Sequence, residues 1–221
     1  MFETIRIDLD SRGVAHLWLS RAARHNALSA RMLEELTEAA GLLGHDDAVR
    51  VVVLAAEGPT FCAGGDLGWM RAQIDADAAT RRRGARQLAD MLMAMNTLPR
   101  PVIGRVQGNA FGGGVGMMAV CDMVISARMA KFGLTETRLG LIPATIGPYV
   151  LARMGEGKAR RVFMSGRVFD ADEAVALNLV ARLADPGDLD ACVEEEVAPY
   201  LLCAPGAVAE AKRLARALGP R

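Results

Sequence analysis

Hydrophobic and polar positions change period several times along the chain, and each change predicts an element. Ile5, Ile7 and Leu9 alternate with polar neighbours, Asp10-Ser11-Arg12-Gly13 reads as a turn, and Val14 to Leu19 runs back, which predicts a hairpin. Met32, Leu33, Leu36, Ala40 and Leu43 recur at helical spacing behind Ser29, a residue suited to capping a first turn. Val49 to Ala55 is an almost continuous β-branched run, expected of a strand buried on both faces. One long helix is predicted from Leu67 to Leu98, ended by Pro99 and Pro101, followed by a strand over Val102–Val106. A small-residue helix over Gly114–Cys121 and a third strand over Met123–Ala127 come next. From Gly147 the pattern is helical almost to the end, in pieces near 147–154, 156–164, 171–178, 188–202 and 206–218, with breaks at Gly166 and Pro186-Gly187. Strand–helix alternation in the first two thirds implies an α/β fold with parallel strands, and the helical final third implies a covering layer.

Composition narrows the chemistry. The 221 residues suffice for one substantial domain, with 52% apolar residues and only 5% aromatic ones, so the core is aliphatic. Lys plus Arg and Asp plus Glu number 26 each, leaving no net field to draw nucleic acid or an anionic membrane. Cys62, Cys121, Cys192 and Cys203 are far apart, as are His16, His25 and His45, so no metal or redox motif is expected and reduced thiols fit a cytoplasmic protein. The start, Met1-Phe2-Glu3, lacks the basic and apolar regions of a signal peptide. The longest apolar run, Gly112 to Ala127, is broken by Asp122 and too short to span a membrane.

Two glycine-rich turns and one glutamate stand out against this background. Phe61-Cys62-Ala63-Gly64-Gly65-Asp66-Leu67 and Asn109-Ala110-Phe111-Gly112-Gly113-Gly114 each follow a strand and open a helix. Bare backbone in two such turns can aim two amide N–H groups at one carbonyl oxygen. An ordinary strand-to-helix loop is the plain alternative for the first turn, and close helix packing for the second. Three glycines cost roughly 1 kcal/mol each inside a helix, which points to a need for exposed backbone. A helix N-terminus also favours a developing anion. Gly114-Val115-Gly116-Met117-Met118-Ala119 fits the dinucleotide-binding spacing, but no acid follows the next strand, where Arg128 and Lys131 stand instead.

Glu136 lies among Phe132, Leu134, Leu139, Leu141 and Ile142, surroundings that would desolvate its carboxyl and suit it to proton transfer. A solvated pair with Arg138 is the alternative. The run Arg81-Arg82-Arg83-Gly84-Ala85-Arg86 reads as a solvated helix face rather than an RNA site, and Met91, Met93 and Met95 as packing.

Together with Arg24-His25-Asn26-Ala27-Leu28 and the Glu136–Pro143 segment, these motifs resemble the crotonase, or enoyl-CoA hydratase/isomerase, superfamily over nearly the whole chain. The resemblance implies a spiral of ββα units over residues 1–146 and a helical trimerisation region over 147–221, assembled as a homotrimer or hexamer. It implies that Gly65 and Gly113 donate the oxyanion-hole N–H groups, with Glu136 as the acid–base. Arg24, His25 and Ala27, with Ala63, Gly64, Gly65, Asp66, Leu67 and Gly68, would line the CoA site. No cofactor is implied, since CoA arrives with the acyl-CoA thioester substrate, and neither nucleic acid nor membrane is an expected partner.

Two departures qualify the resemblance. Gly116 stands where the best-known hydratases carry a second glutamate, a one-glutamate arrangement also found in the family's Δ3,Δ2-enoyl-CoA isomerases. Family chains also usually continue past the segment matching Ala207–Leu218 with further helices over the acyl pocket. The segment Leu134–Ala144, with Trp69-Met70 and Ile146-Gly147-Pro148, is most similar to bacterial methylglutaconyl-CoA and isohexenylglutaconyl-CoA hydratases. Hydration of a 2-enoyl-CoA is therefore the expected activity, with isomerisation, and then a non-catalytic acyl-CoA- or RNA-binding role, as alternatives. Arg138, or another arginine near the pocket, is a candidate partner for a distal substrate carboxylate.

Overall fold

The computed structural model describes residues 2–219. Its first unit is the hairpin β1 (Ile5–Leu9) and β2 (Val14–Leu19) followed by α1 (Ala30–His45), whose Ser29 side chain accepts a hydrogen bond from the Met32 N–H. Three strand pairs follow: β3 (Val51–Ala56) with β4 (Thr60–Cys62), β5 (Val102–Val106) with β6 (Asn109–Phe111), and β7 (Met123–Ala127) with β8 (Lys131–Gly133). Each pair sends its first strand to a six-stranded sheet, ordered β1-β2-β3-β5-β7-β10, and its second to a four-stranded sheet, ordered β4-β6-β8-β9. Helices return the chain between pairs: α2 (Leu67–Asp75) with α3 (Ala78–Thr97), α4 (Gly113–Ala119), then α5 (Gly147–Met154) with α6 (Glu156–Phe163). The result is a turning succession of ββα units. Among the described residues pairing is antiparallel only at β1–β2 and β8–β9; the β2, β3, β5, β7 and β10 ladder and the β4, β6 and β8 ladder are parallel.

The sequence pattern explains the core. All six residues of β3 are buried. Val52, Leu54 and Ala56 face the main core, while Val51 and Val53 join Val14, Ile103 and Ile125 beneath α8 (Leu189–Leu201). A period of two divides one apolar run between two faces. Helix α9 (Pro205–Leu218) buries none of its residues.

Two expectations are corrected. The single helix over 67–98 is two helices, because Asp77 caps a new one by accepting from the Thr80 N–H. The final third is not purely helical: β9 (Val168–Asp170) and β10 (Arg182–Ala184), separated by α7 (Ala171–Ala176), complete the two sheets. The short strands of the smaller sheet have three residues each, too few to show a period.

Candidate active site

The glycine turns and the glutamate come from three neighbouring strands. Parallel β4, β6 and β8 end at Cys62, Phe111 and Gly133, and their carboxyl ends release Ala63–Asp66, Gly112–Gly114 and Thr135–Glu136 side by side. Carboxyl ends of parallel strands are where α/β sheets gather ligands. The turns thus follow β4 and β6, not the longer β3 and β5 that the apolar runs suggested.

Contact between the turns is close enough to require bare backbone. A β-carbon on Gly64, whose φ is +94°, would lie 2.9 Å from the Phe111 carbonyl oxygen and 3.6 Å from the Gly113 amide nitrogen. One on Gly112, at φ +49°, would lie 3.1 Å from Glu136 Oε1. Gly65 bridges to Leu28 through bonds made by its neighbours: Leu28 N–H donates to the Gly64 carbonyl at 2.8 Å, and Asp66 N–H donates to the Leu28 carbonyl at 2.9 Å. The Gly65 N–H takes no part in those two bonds. Gly113 opens α4, so its N–H belongs to the first turn, where amides have no partner within the helix. Gly65 and Gly113, on adjoining turns, line the same cavity.

Glu136 begins a 3-10 turn over Glu136–Leu139. Burial raises its carboxyl above the ordinary carboxylate range, and Oε2 is buried with no hydrogen-bond partner among the described residues. Arg138 is exposed and does not line the cavity; its side chain lies against Gly166. The solvated Glu136–Arg138 pair is absent from the ion pairs of the described residues, and the desolvated reading holds. Nearby Cys62 is no rival nucleophile, because burial pushes its thiol up to about 12.

A cavity of about 320 Å³ joins these groups. Ala63, Gly64, Gly65, Leu67, Gly112, Gly113 and Glu136 line it, as do Trp69, Met70, Leu139, Ile142 and Ile146. Of the sequence-predicted residues, Arg24, His25, Ala27, Asp66 and Gly68 lie outside that lining. Arg24 and His25 are exposed beside it, and the His25 carbonyl accepts from the Ala63 N–H at 3.0 Å. Asp66 holds the mouth together: it accepts from Gly68 N–H and Trp69 N–H at the start of α2 and from Arg21. Burial pushes its carboxyl up, but those bonds outweigh burial and hold it below the usual range.

Arg21 and Asn26 escaped the sequence reading as supports. Arg21 donates to the Ala27 carbonyl at 2.5 Å and to Asp66 Oδ2 at 3.2 Å. Asn26, fully buried at φ +52°, donates to the Glu57 and Thr60 carbonyls, each at 2.8 Å, and so ties the Arg24–Leu28 turn to the segment entering β4. An asparagine between His25 and Ala27, a residue type that tolerates positive φ, was the available signal. A larger cleft of about 870 Å³ beneath α9 contains neither glycine turn nor Glu136.

The fold and site define an α/β protein in which two glycine turns and one desolvated carboxyl line a single cavity at the carboxyl ends of parallel strands. The enoyl-CoA hydratase/isomerase family model matches residues 10–197. YngF of Bacillus subtilis, which bears an enoyl-CoA hydratase/isomerase designation, is 34% identical over 214 residues, covering 96% of this chain and 81% of its own. An enoyl-CoA hydratase structure from Mycobacterium smegmatis superposes with a TM-score of 0.93 at 37% identity, covering 97% of this chain and 83% of its own. One from Shewanella pealeana gives 0.95 at 34% identity, covering 99% and 81%. This chain belongs to the enoyl-CoA hydratase/isomerase family and has its α/β fold. It is an enzyme of that class acting on acyl-CoA thioesters.

Proposed function

We propose that this enzyme hydrates a 2-enoyl-CoA through an enolate. The Gly65 and Gly113 N–H groups form the oxyanion hole for the thioester carbonyl. Glu136, as carboxylate, takes a proton from water as the oxygen attacks Cβ, and the resulting carboxyl returns a proton to Cα. The double bond is consumed, and one water is added in total. The observation that carries this reading is the convergence of both glycine turns and a single desolvated carboxyl on one cavity. No metal or redox cofactor takes part, and CoA comes with the substrate. The exposed Arg24, His25, Leu67 and Gly68 would meet the CoA moiety at the mouth, while Ala27 and Asp66 support the turns that shape it.

Isomerisation of a 3-enoyl-CoA by the same carboxyl is the second reading, favoured by Gly116 and by the one carboxylate in the lining. A methylglutaconyl-type substrate would bring a distal carboxylate, whereas the lining contains no Lys, Arg or His among the described residues; this favours an uncharged acyl group. A homotrimer or hexamer in the cytoplasm completes the proposal, with the assembly read by light scattering.

Incubation of crotonyl-CoA, 3-hexenoyl-CoA and methylglutaconyl-CoA with the enzyme in D2O, followed by mass spectrometry, separates the readings. Hydration adds one whole heavy water to the thioester. Deuterium appearing in a thioester without added water supports isomerisation, and turnover of methylglutaconyl-CoA above crotonyl-CoA would overturn the preference for an uncharged acyl group.

A further inference from the structure

Helix α4 carries Gly116 one turn beyond the oxyanion turn, and its bare face is filled by a side chain from another element. A β-carbon on Gly116 would collide with Ile146 Cγ2 and stand 2.9 Å from Ile146 Cβ. Ile146 precedes α5, is 3% exposed, and also lines the cavity that holds Glu136 and the two glycine turns. It is therefore a wall one residue thick, with the α4 backbone behind it and the acyl cavity in front.

Its freedom to retreat is small. Ile146 is β-branched and stiff at χ1. Its carbonyl accepts from the Tyr149 and Val150 N–H groups at 3.1 Å each, and Gly147 N–H donates to the Pro143 carbonyl at 2.8 Å. The contact with Gly116 involves Cβ itself, so rotation about χ1 cannot relieve a clash there. Any side chain added at Gly116 must drive Ile146 forward into the cavity.

We infer that the Ile146–Gly116 pair determines acyl specificity, with Ile146 as the wall that limits the acyl group's bulk and Gly116 as the glycine that sets how far back the wall stands. The inference rests on the proposal that this cavity receives an acyl-CoA. It predicts opposite effects from the two partners. Ile146→Ala, and to a smaller degree Ile146→Val, enlarges the cavity and favours a bulkier or branched acyl group. Gly116→Ala advances the wall and favours a shorter one. One methylene in an apolar pocket is worth roughly 10- to 200-fold in discrimination.

The test is calorimetric titration of wild type, Ile146→Val, Ile146→Ala and Gly116→Ala with butyryl-CoA and isovaleryl-CoA, alongside turnover of the matching 2-enoyl esters. The expected result is a roughly tenfold rise in the isovaleryl-to-butyryl affinity ratio for Ile146→Ala, with a smaller rise for Ile146→Val. A comparable fall is expected for Gly116→Ala. Unchanged ratios, or shifts of the same sign for both partners, would overturn the inference. A wild type that binds these esters, shows opposed shifts in the variants and turns none of the enoyl esters over would uphold the wall and sink the hydration reading. A wild type that binds neither ester overturns both. If Ile146→Ala fails to fold, the milder Ile146→Val and the opposite-signed Gly116→Ala still decide the matter.

Discussion

Single residues set the chemistry through their surroundings. Glu136 is an ordinary carboxyl whose burial makes ionisation costly and raises its pKa above the usual carboxylate range, the direction that suits the proton transfer proposed for it. Glu136→Gln should reduce turnover by roughly a hundred- to ten-thousand-fold while preserving acyl-CoA binding, as read by steady-state kinetics and calorimetry. On the proposed mechanism the ionised form is the base, so activity should rise with pH and inflect above the ordinary carboxylate range. The sign for stability is opposite: a raised carboxyl pKa means stability falls as pH climbs through the folded-state value, and Glu136→Gln should remove that loss. Asp66 behaves conversely. Its lowered pKa contributes stability above the unfolded-state value of about 3.9, which is lost as pH falls through the folded-state one. Arg21→Met should therefore cost about 1.5–3 kcal/mol at neutral pH, and the deficit should shrink at pH 3 in urea denaturation.

Elements decide whether these residues meet. The strands β4, β6 and β8 are three residues each, yet their parallel pairing delivers both glycine turns and Glu136 to one edge. Helix α4 approaches β4 so closely that a β-carbon on Gly114 would collide with the Cys62 carbonyl and lie 3.0 Å from Cys62 Cβ. Gly114→Ala should therefore destabilise the fold by about 1–3 kcal/mol, through forced displacement of α4, and depress turnover more than Glu136-independent acyl-CoA binding. Differential scanning calorimetry with a parallel activity assay would measure both. The arginine run on α3 has no part in this arrangement: Arg81, Arg82, Arg83 and Arg86 are exposed, as a solvated face requires, while Met91 and Met95 enter the core and Met93 does not.

At the scale of the whole molecule, stability resides between and behind the sheets. Leu54, fully buried at the centre of β3, should cost about 2–5 kcal/mol when replaced by Ala, whereas Leu214→Ala on the exposed α9 should stay within about 0.5 kcal/mol. Chemical denaturation of the two variants makes the comparison directly. Among the described residues no helix is long and apolar enough to cross a membrane.

The sequence by itself determined the elements with enough length to show a period, because apolar spacing is a local property: the β1–β2 hairpin, α1, β3, β5, β7 and most of the later helices. It also marked the glycine turns, Glu136 and the family, since bare-backbone turns and an acid among apolar residues are written in the residue order. Only the tertiary structure decided that the turns leave β4 and β6, that Asp77 divides the long helix, and that β9 and β10 return to the sheets. It alone joined Arg21 to Asp66, excluded Arg138 from the cavity and set Ile146 against Gly116. Three-residue strands carry no readable period, and those contacts join segments far apart in the chain. Their existence depends on how parallel pairing stacks the ββα units, a long-range property that local spacing does not contain.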